Sequence, residues 1–136
     1  MQNIVILAGN VGATPETRTT QGNTKIAIFS LATSRPKFDS DGKIAKDGEG
    51  RRMEETEWHR ITCFGALAKT VEKYVEKGQK LLIEGRIHYT KWTDQQDVER
   101  YGVEIIAEKV TFLTRGKSQQ GTNGAADEPE GEDVPF

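Results

Sequence analysis

Only one stretch of this chain has the periodicity of a helix, and it stands between segments that read as strands. Ala66 to Lys77 places Leu67, Val71, Tyr74 and Val75 on one face, with Lys69, Glu72, Lys73, Glu76 and Lys77 around the remainder. Gly78 follows, where a helix-ending glycine belongs. Before it, Ile4 to Ala8 is a short apolar run stopped by Gly9-Asn10, which predicts a strand covered on both faces. Its second face lies either under a loop or against another subunit. Thr14-Pro15 marks a turn, Glu16 to Thr20 a short edge segment, and Gln21-Gly22-Asn23 a second turn. Lys25 to Thr33, rich in Ile, Phe and Leu, reads as a long central strand.

Thr56 to Phe64 alternates clearly: Trp58, Arg60, Thr62 and Phe64 point one way, and His59, Ile61 and Cys63 the other. After the helix, Lys80 to Trp92 is a strand with Leu81, Ile83, Ile87 and Tyr89 on the core-like parity. Glu84, Arg86, His88, Thr90 and Trp92 occupy the other. Gly85 inside it predicts sharp curvature or a bulge. Thr93 to Glu99 is a polar tip, and Arg100 to Leu113 is a last strand, bent near Glu108-Lys109. One helix between the third and fourth long strands is the order of the five-stranded oligonucleotide-binding barrel, the OB-fold. Residues 34–55 break the pattern with Pro36, Gly42, Gly48 and Gly50 among interleaved charges, as a long polar loop or an exposed hairpin.

The formal net charge of -2 conceals an uneven distribution. Residues 1–115 carry 18 basic and 16 acidic side chains, whereas 116–136 set Lys117 against Asp127, Glu128, Glu130, Glu132 and Asp133. A weakly basic body that binds nucleic acid has to draw on stacking as well as on phosphate contacts. The tail, 115–136, has almost no apolar residue before its end and is expected to be disordered, leaving one domain at 1–114. Cys63, the single cysteine, excludes an intrachain disulfide and a cysteine-cluster zinc site. His59 and His88 are not at ligand spacing, so no metal and no cofactor are expected. No Walker loop, dinucleotide fingerprint or nucleophile elbow occurs, which argues against an enzyme. Neither a signal peptide nor a membrane-length apolar run is evident, so a cytoplasmic protein is expected.

Trp58 and Phe64 flank Arg60 on one strand face. Large aromatics beside a cation suit base stacking, although a barrel also buries aromatics. Trp92 follows Lys91 at a strand end before the polar tip, a position for base and backbone contact. Phe38 sits in the long polar segment with Arg35, Lys37, Lys43, Lys46, Arg51 and Arg52 nearby, as a phosphate-tracking loop would need. Arg60, Lys91, Arg86, Lys73, Arg35 and Lys37 form the candidate phosphate-contacting set.

Several motifs together resemble the bacterial single-stranded DNA-binding protein family. They are Asn3 to Asn10, Leu31-Ala32-Thr33-Ser34, Thr56 to Arg60, Phe64-Gly65, Tyr74 to Gly78, Ile83 to Ile87 running on to Lys91-Trp92-Thr93-Asp94, and the ending Asp133-Val134-Pro135-Phe136. The resemblance implies a homotetramer coating single-stranded DNA, with the stacking aromatics falling on Trp58, Phe64 and Trp92. The family's further loop tryptophan has no identical match; Lys37 or Phe38 stands in that region. Ala66 replaces a family basic residue, and His88 and Thr90 stand where arginine is frequent, implying fewer phosphate contacts there. The tip Asp133, Val134, Pro135 and Phe136 is expected to recruit replication, recombination and repair proteins. An RNA-binding barrel is the competing reading, since stacking is indifferent to the sugar, and a barrel devoted to protein assembly is another.

Overall fold

The structure is a computed structural model and describes residues 1–114. The expected tail, with Asp133, Val134, Pro135 and Phe136, lies outside the described residues. The elements run β1 (Val5–Val11), β2 (Glu16–Thr19), β3 (Lys25–Pro36), β4 (Glu54–Phe64), α1 (Gly65–Tyr74), β5 (Lys80–Thr93) and β6 (Glu99–Phe112). The sheet order is β1-β5-β6-β4-β3-β2, and a further β1–β3 pairing closes the ring. Asn10 and Val11 of β1 reach Ala32 and Leu31 of β3, while Val5 to Asn10 pair with β5. Five strands therefore form a closed barrel, and β2 hangs beside β3 opposite Lys25–Ile28. Closure removes most of the free edge that an open sheet would expose. This is the OB-fold with one helix that the element order predicts.

Alternation decides what fills the barrel. Ala27, Phe29 and Leu31 of β3, Ile61 and Cys63 of β4, and Leu81 and Ile83 of β5 point inward and are buried. The helix lies across one end, with Ala68, Val71 and the following Val75 joining the same core. Burial without a charged partner pushes the Cys63 thiol up to about 12, so it is an inert core side chain. At Gly85 the β5–β6 register shifts, and a Cβ there would collide with the Ile106 carbonyl oxygen. The bulge that bends β5 around the barrel thus requires glycine.

Three expectations need correction. The helix ends at Tyr74 rather than Lys77, because Val75 turns extended to enter the core. Gly78, at φ 89°, serves the turn into β5, where its N–H donates to the Val11 carbonyl. The second face of β1 is not covered by a loop: Ile4 and Ile6 are exposed, while Val5 and Leu7 pack on the core. Tyr89 keeps the inward parity but is 72% exposed. By that point β5 and β6 have run past the barrel as a two-stranded ribbon, and neither face of the ribbon has a core to join.

The polar segment after β3 is an ordered extension rather than a plain loop. Arg35 and Pro36 still pair with Glu55 and Glu54, and isolated bridges join Phe38 to Ile44 and Lys46 to Arg52. Its corners repeat one turn, seen at Asp39–Lys43 and Asp47–Arg51, again at Asp94–Val98 between β5 and β6, and at Thr20–Thr24 between β2 and β3. In each, the first residue's N–H donates to the last carbonyl, and the fourth residue's N–H donates to the first carbonyl. The first side chain accepts from the last N–H. The fourth position is left-handed in all: Asn23, Gly42, Gly50 and Asp97.

Candidate nucleic-acid interface

The outward row of β4 carries Trp58, Arg60, Thr62 and Phe64, as its alternation predicts. Thr62 is buried although it points outward, because neighbouring strands crowd it; the other three reach solvent. Between this row and the ribbon formed by β5 and β6 lies an open groove of about 530 Å³. Ile26 and Ile28 of β3, Arg60, Thr62 and Phe64 of β4, and Thr90 and Trp92 of β5 line it, together with Arg18 of β2 and Gly102, Val103 and Glu104 of β6.

Both tryptophans are seated on glycine. A Cβ at Gly12 would strike Cζ3 and Cη2 of the Trp58 indole. One at Gly102 would lie 3.0 and 3.4 Å from the same atoms of Trp92. Each indole therefore rests against backbone on one side. Trp58 remains 61% exposed and Trp92 51%, so much of each indole is open to solvent. Phe64, 44% exposed, lies further along the groove at the end of β4. A supported ring with a free face is what a stacked base requires.

The charges in the groove are mixed. Arg60 and Arg18 supply cations, and Glu104 supplies a carboxylate whose side chain is only 17% exposed. Thr62 donates its hydroxyl proton to Glu104 Oε1 at 2.6 Å, and Arg60 Nε lies 3.8 Å from the same oxygen.

Of the residues expected from the sequence, the groove brings together Arg60, Phe64 and Trp92, with Trp58 on the continuing row. Lys91 is separated from Trp92 because strand neighbours point to opposite faces. Its ammonium lies 5.9 Å from the Tyr101 ring centroid and 3.3 Å from Glu99 on the back of the ribbon. Arg86 faces outward on β5 and Lys73 lies on α1, 5.3 Å from the Tyr74 ring centroid; neither lines the groove. Arg35, Lys37 and Phe38 stand on the extension beyond β3, where Arg35 pairs with Glu55 at 3.1 Å. Arg18, Glu104 and Gly102 are further groove residues that local pattern alone does not single out, as is Gly12 beneath Trp58. A glycine inside a strand is a signal of close approach, and Gly102 carried it.

A family model described as the single-strand binding protein family matches residues 2–113. The chain belongs to that family. It is 41% identical over 122 residues to a single-stranded DNA-binding protein of Xylella fastidiosa, covering 90% of this chain and 69% of the relative. A protein of the same name from Xanthomonas campestris is 40% identical over 111 residues, covering 82% of this chain and 60% of its own length. The fold is also similar to a solved structure described as a Plasmodium falciparum SSB complex with ssDNA, at a TM-score of 0.72 and 28% identity. That match covers 84% of this chain and 97% of the other. Membership agrees with the expectation of a binding protein rather than an enzyme.

Proposed function

We propose that this protein binds and protects single-stranded DNA without reading its sequence, in replication, recombination and repair. The observation that carries the reading is the pair of largely exposed indoles braced on Gly12 and Gly102 at a groove that holds Arg60 and Arg18. Stacking accepts any base, and the cations meet the backbone. Duplex DNA keeps its bases stacked on one another and has no ring faces to offer. Tryptophan fluorescence titrated with poly-dT, poly-U and duplex DNA tests this. Strong quenching by poly-dT with little by duplex is expected, and equal response to duplex would overturn it. Comparable affinity for poly-U would transfer the reading to RNA.

Two further parts of the reading concern assembly and recruitment. Ile4 and Ile6 leave an apolar strip on the outside of β1, and the covering partner is best supplied by further copies, as a homotetramer. Light scattering at micromolar concentration should report about four chains, consistent with the closed symmetry usual for such assemblies. Asp133, Val134, Pro135 and Phe136 set an aromatic ring beside a run of carboxylates, which an apolar pocket rimmed by Arg or Lys would capture. Deleting only Phe136 should abolish pull-down of repair proteins while leaving DNA affinity nearly unchanged. Recovery of the same proteins without it would reduce the tail to a solubility device.

A further inference from the structure

Strand β2 is left outside the closed barrel, yet it supplies a residue to the groove. Arg18 of β2 lies opposite Ile26 of β3, and Ile26 lies opposite Phe64 of β4. Paired residues share a face, so the three form one row across the sheet, and all three line the groove. Two strand spacings, roughly 10 Å, separate the Arg18 backbone from that of Phe64. Along β4 itself, Arg60 stands two residues from Trp58, roughly 7 Å, but four from Phe64, roughly 13 Å. Each end of the row therefore has its own aromatic and its own cation.

The two cations differ in their partners. Arg60 Nε lies 3.8 Å from Glu104 Oε1. Arg18 is exposed, and among the described residues no carboxylate pairs with it. A guanidinium in that state is free to take a phosphate through its fork of N–H donors. The other face of β2 shows how a four-residue edge strand holds this side chain in place. Thr17 Oγ1 donates to Glu72 Oε2 of α1 at 3.3 Å, and Lys25 Nζ of β3 donates to Oε1 at 2.6 Å. Neighbours on a strand face opposite ways, so fastening Thr17 to the helix turns Arg18 to the groove.

We infer that Arg18 is the phosphate-contacting cation for the nucleotide stacked on Phe64, and that Glu72 is a positioning residue that holds β2 with Arg18 facing the groove. The inference rests on the single-stranded DNA reading and extends the strand's path from β4 across β3 onto β2. A phosphate contact positions the strand without choosing among bases. Glu72 touches no DNA; it acts only through Thr17, Lys25 and the hairpin they belong to.

The test is poly-dT affinity across a series of salt concentrations, read by tryptophan fluorescence, with thermal unfolding of each variant as a check on the fold. Trp58 and Trp92 remain in every variant. Arg18→Ala should lower the slope of log affinity against log salt by about 0.7, the counterions of one single-strand phosphate. Arg18→Lys should restore most of that slope, since it keeps the charge. Glu72→Ala should weaken binding less than Arg18→Ala, and should cost nothing further in a chain that already carries Arg18→Ala. Should Glu72→Ala unfold, Thr17→Val makes the same comparison by removing only the hydroxyl that reaches the helix. A loss confined to chains that keep Arg18 supports the positioning role, and an equal loss in both backgrounds, or none, overturns it. An unchanged slope in Arg18→Ala overturns the phosphate contact and leaves the DNA reading standing, because the wild-type chain still binds. If the wild-type chain does not bind poly-dT, the DNA reading and the inference fail together.

Discussion

Two extensions leave the barrel, one after β3 and one between β5 and β6, and they differ in what they carry rather than in how they are built. Both run on as antiparallel pairs, and both close on the same aspartate-anchored turn. The β5–β6 ribbon is continuous with the groove and presents Trp92 on one face, with Tyr89 and Tyr101 exposed on the other. The β3 extension carries a lone exposed aromatic, Phe38, among charges that partly cancel, such as Arg51 with Asp47 and Glu49. A single turn design thus supports an aromatic platform in one place and a solvated, charge-balanced arm in the other.

The sharpest way to break the comparison is to remove its aromatics. Trp92→Ala should weaken poly-dT binding by roughly 1–3 kcal/mol with the fold intact. Phe38→Ala should cost clearly less, because Phe38 does not line the groove that holds Trp92. Equal losses would make the two extensions functionally alike. Unfolding of the Trp92 variant would instead assign that ring to packing on Gly102.

A smaller effect is expected in the salt dependence. Arg60→Ala should reduce the slope of log affinity against log salt by about one ion's worth, as for a phosphate contact. Lys46→Ala, on the β3 extension, should change it less. A steeper loss at Lys46 would move the backbone path onto that arm.

The smallest effect concerns the turns themselves. Hydrogen bonds from backbone N–H groups, that of Arg51 to Asp47 and of Val98 to Asp94, hold these carboxyls below the usual carboxylate range, with Arg51 and Arg100 adding to the shift. A folded pKa below the unfolded one stabilises the turn above the ordinary carboxylate range. That stabilisation is lost as pH falls through the lowered folded value. NMR titration of the Arg51 and Val98 amides should show both turns loosening together at acid pH. Loosening at only one would end the structural equivalence of the two extensions.

Much of the barrel was legible in local pattern, because alternation along a strand and periodicity along a helix depend only on spacing. The outward set Trp58, Arg60 and Phe64 followed from parity in β4, and the bulge from Gly85. Tyr89 was misread for the same reason that the others were read well. Parity says which side a residue faces, not whether a core lies on that side. The helix end was misplaced because Val75 is drawn from helical geometry into the core, a competition that helical spacing does not register.

By itself, then, the sequence determined the element order, the inward and outward rows, the family and the aromatic character of the surface, all properties of residues near one another in the chain. Only the tertiary structure decided which outward residues share a groove. Closure of β1 onto β3 brings Gly12 beneath Trp58, β6 brings Gly102 beneath Trp92, and the parallel pairing of β4 with β6 sets Glu104 beside Arg60. Contacts between residues distant in sequence depend on strand order and register, and a local pattern fixes neither until the ring is closed.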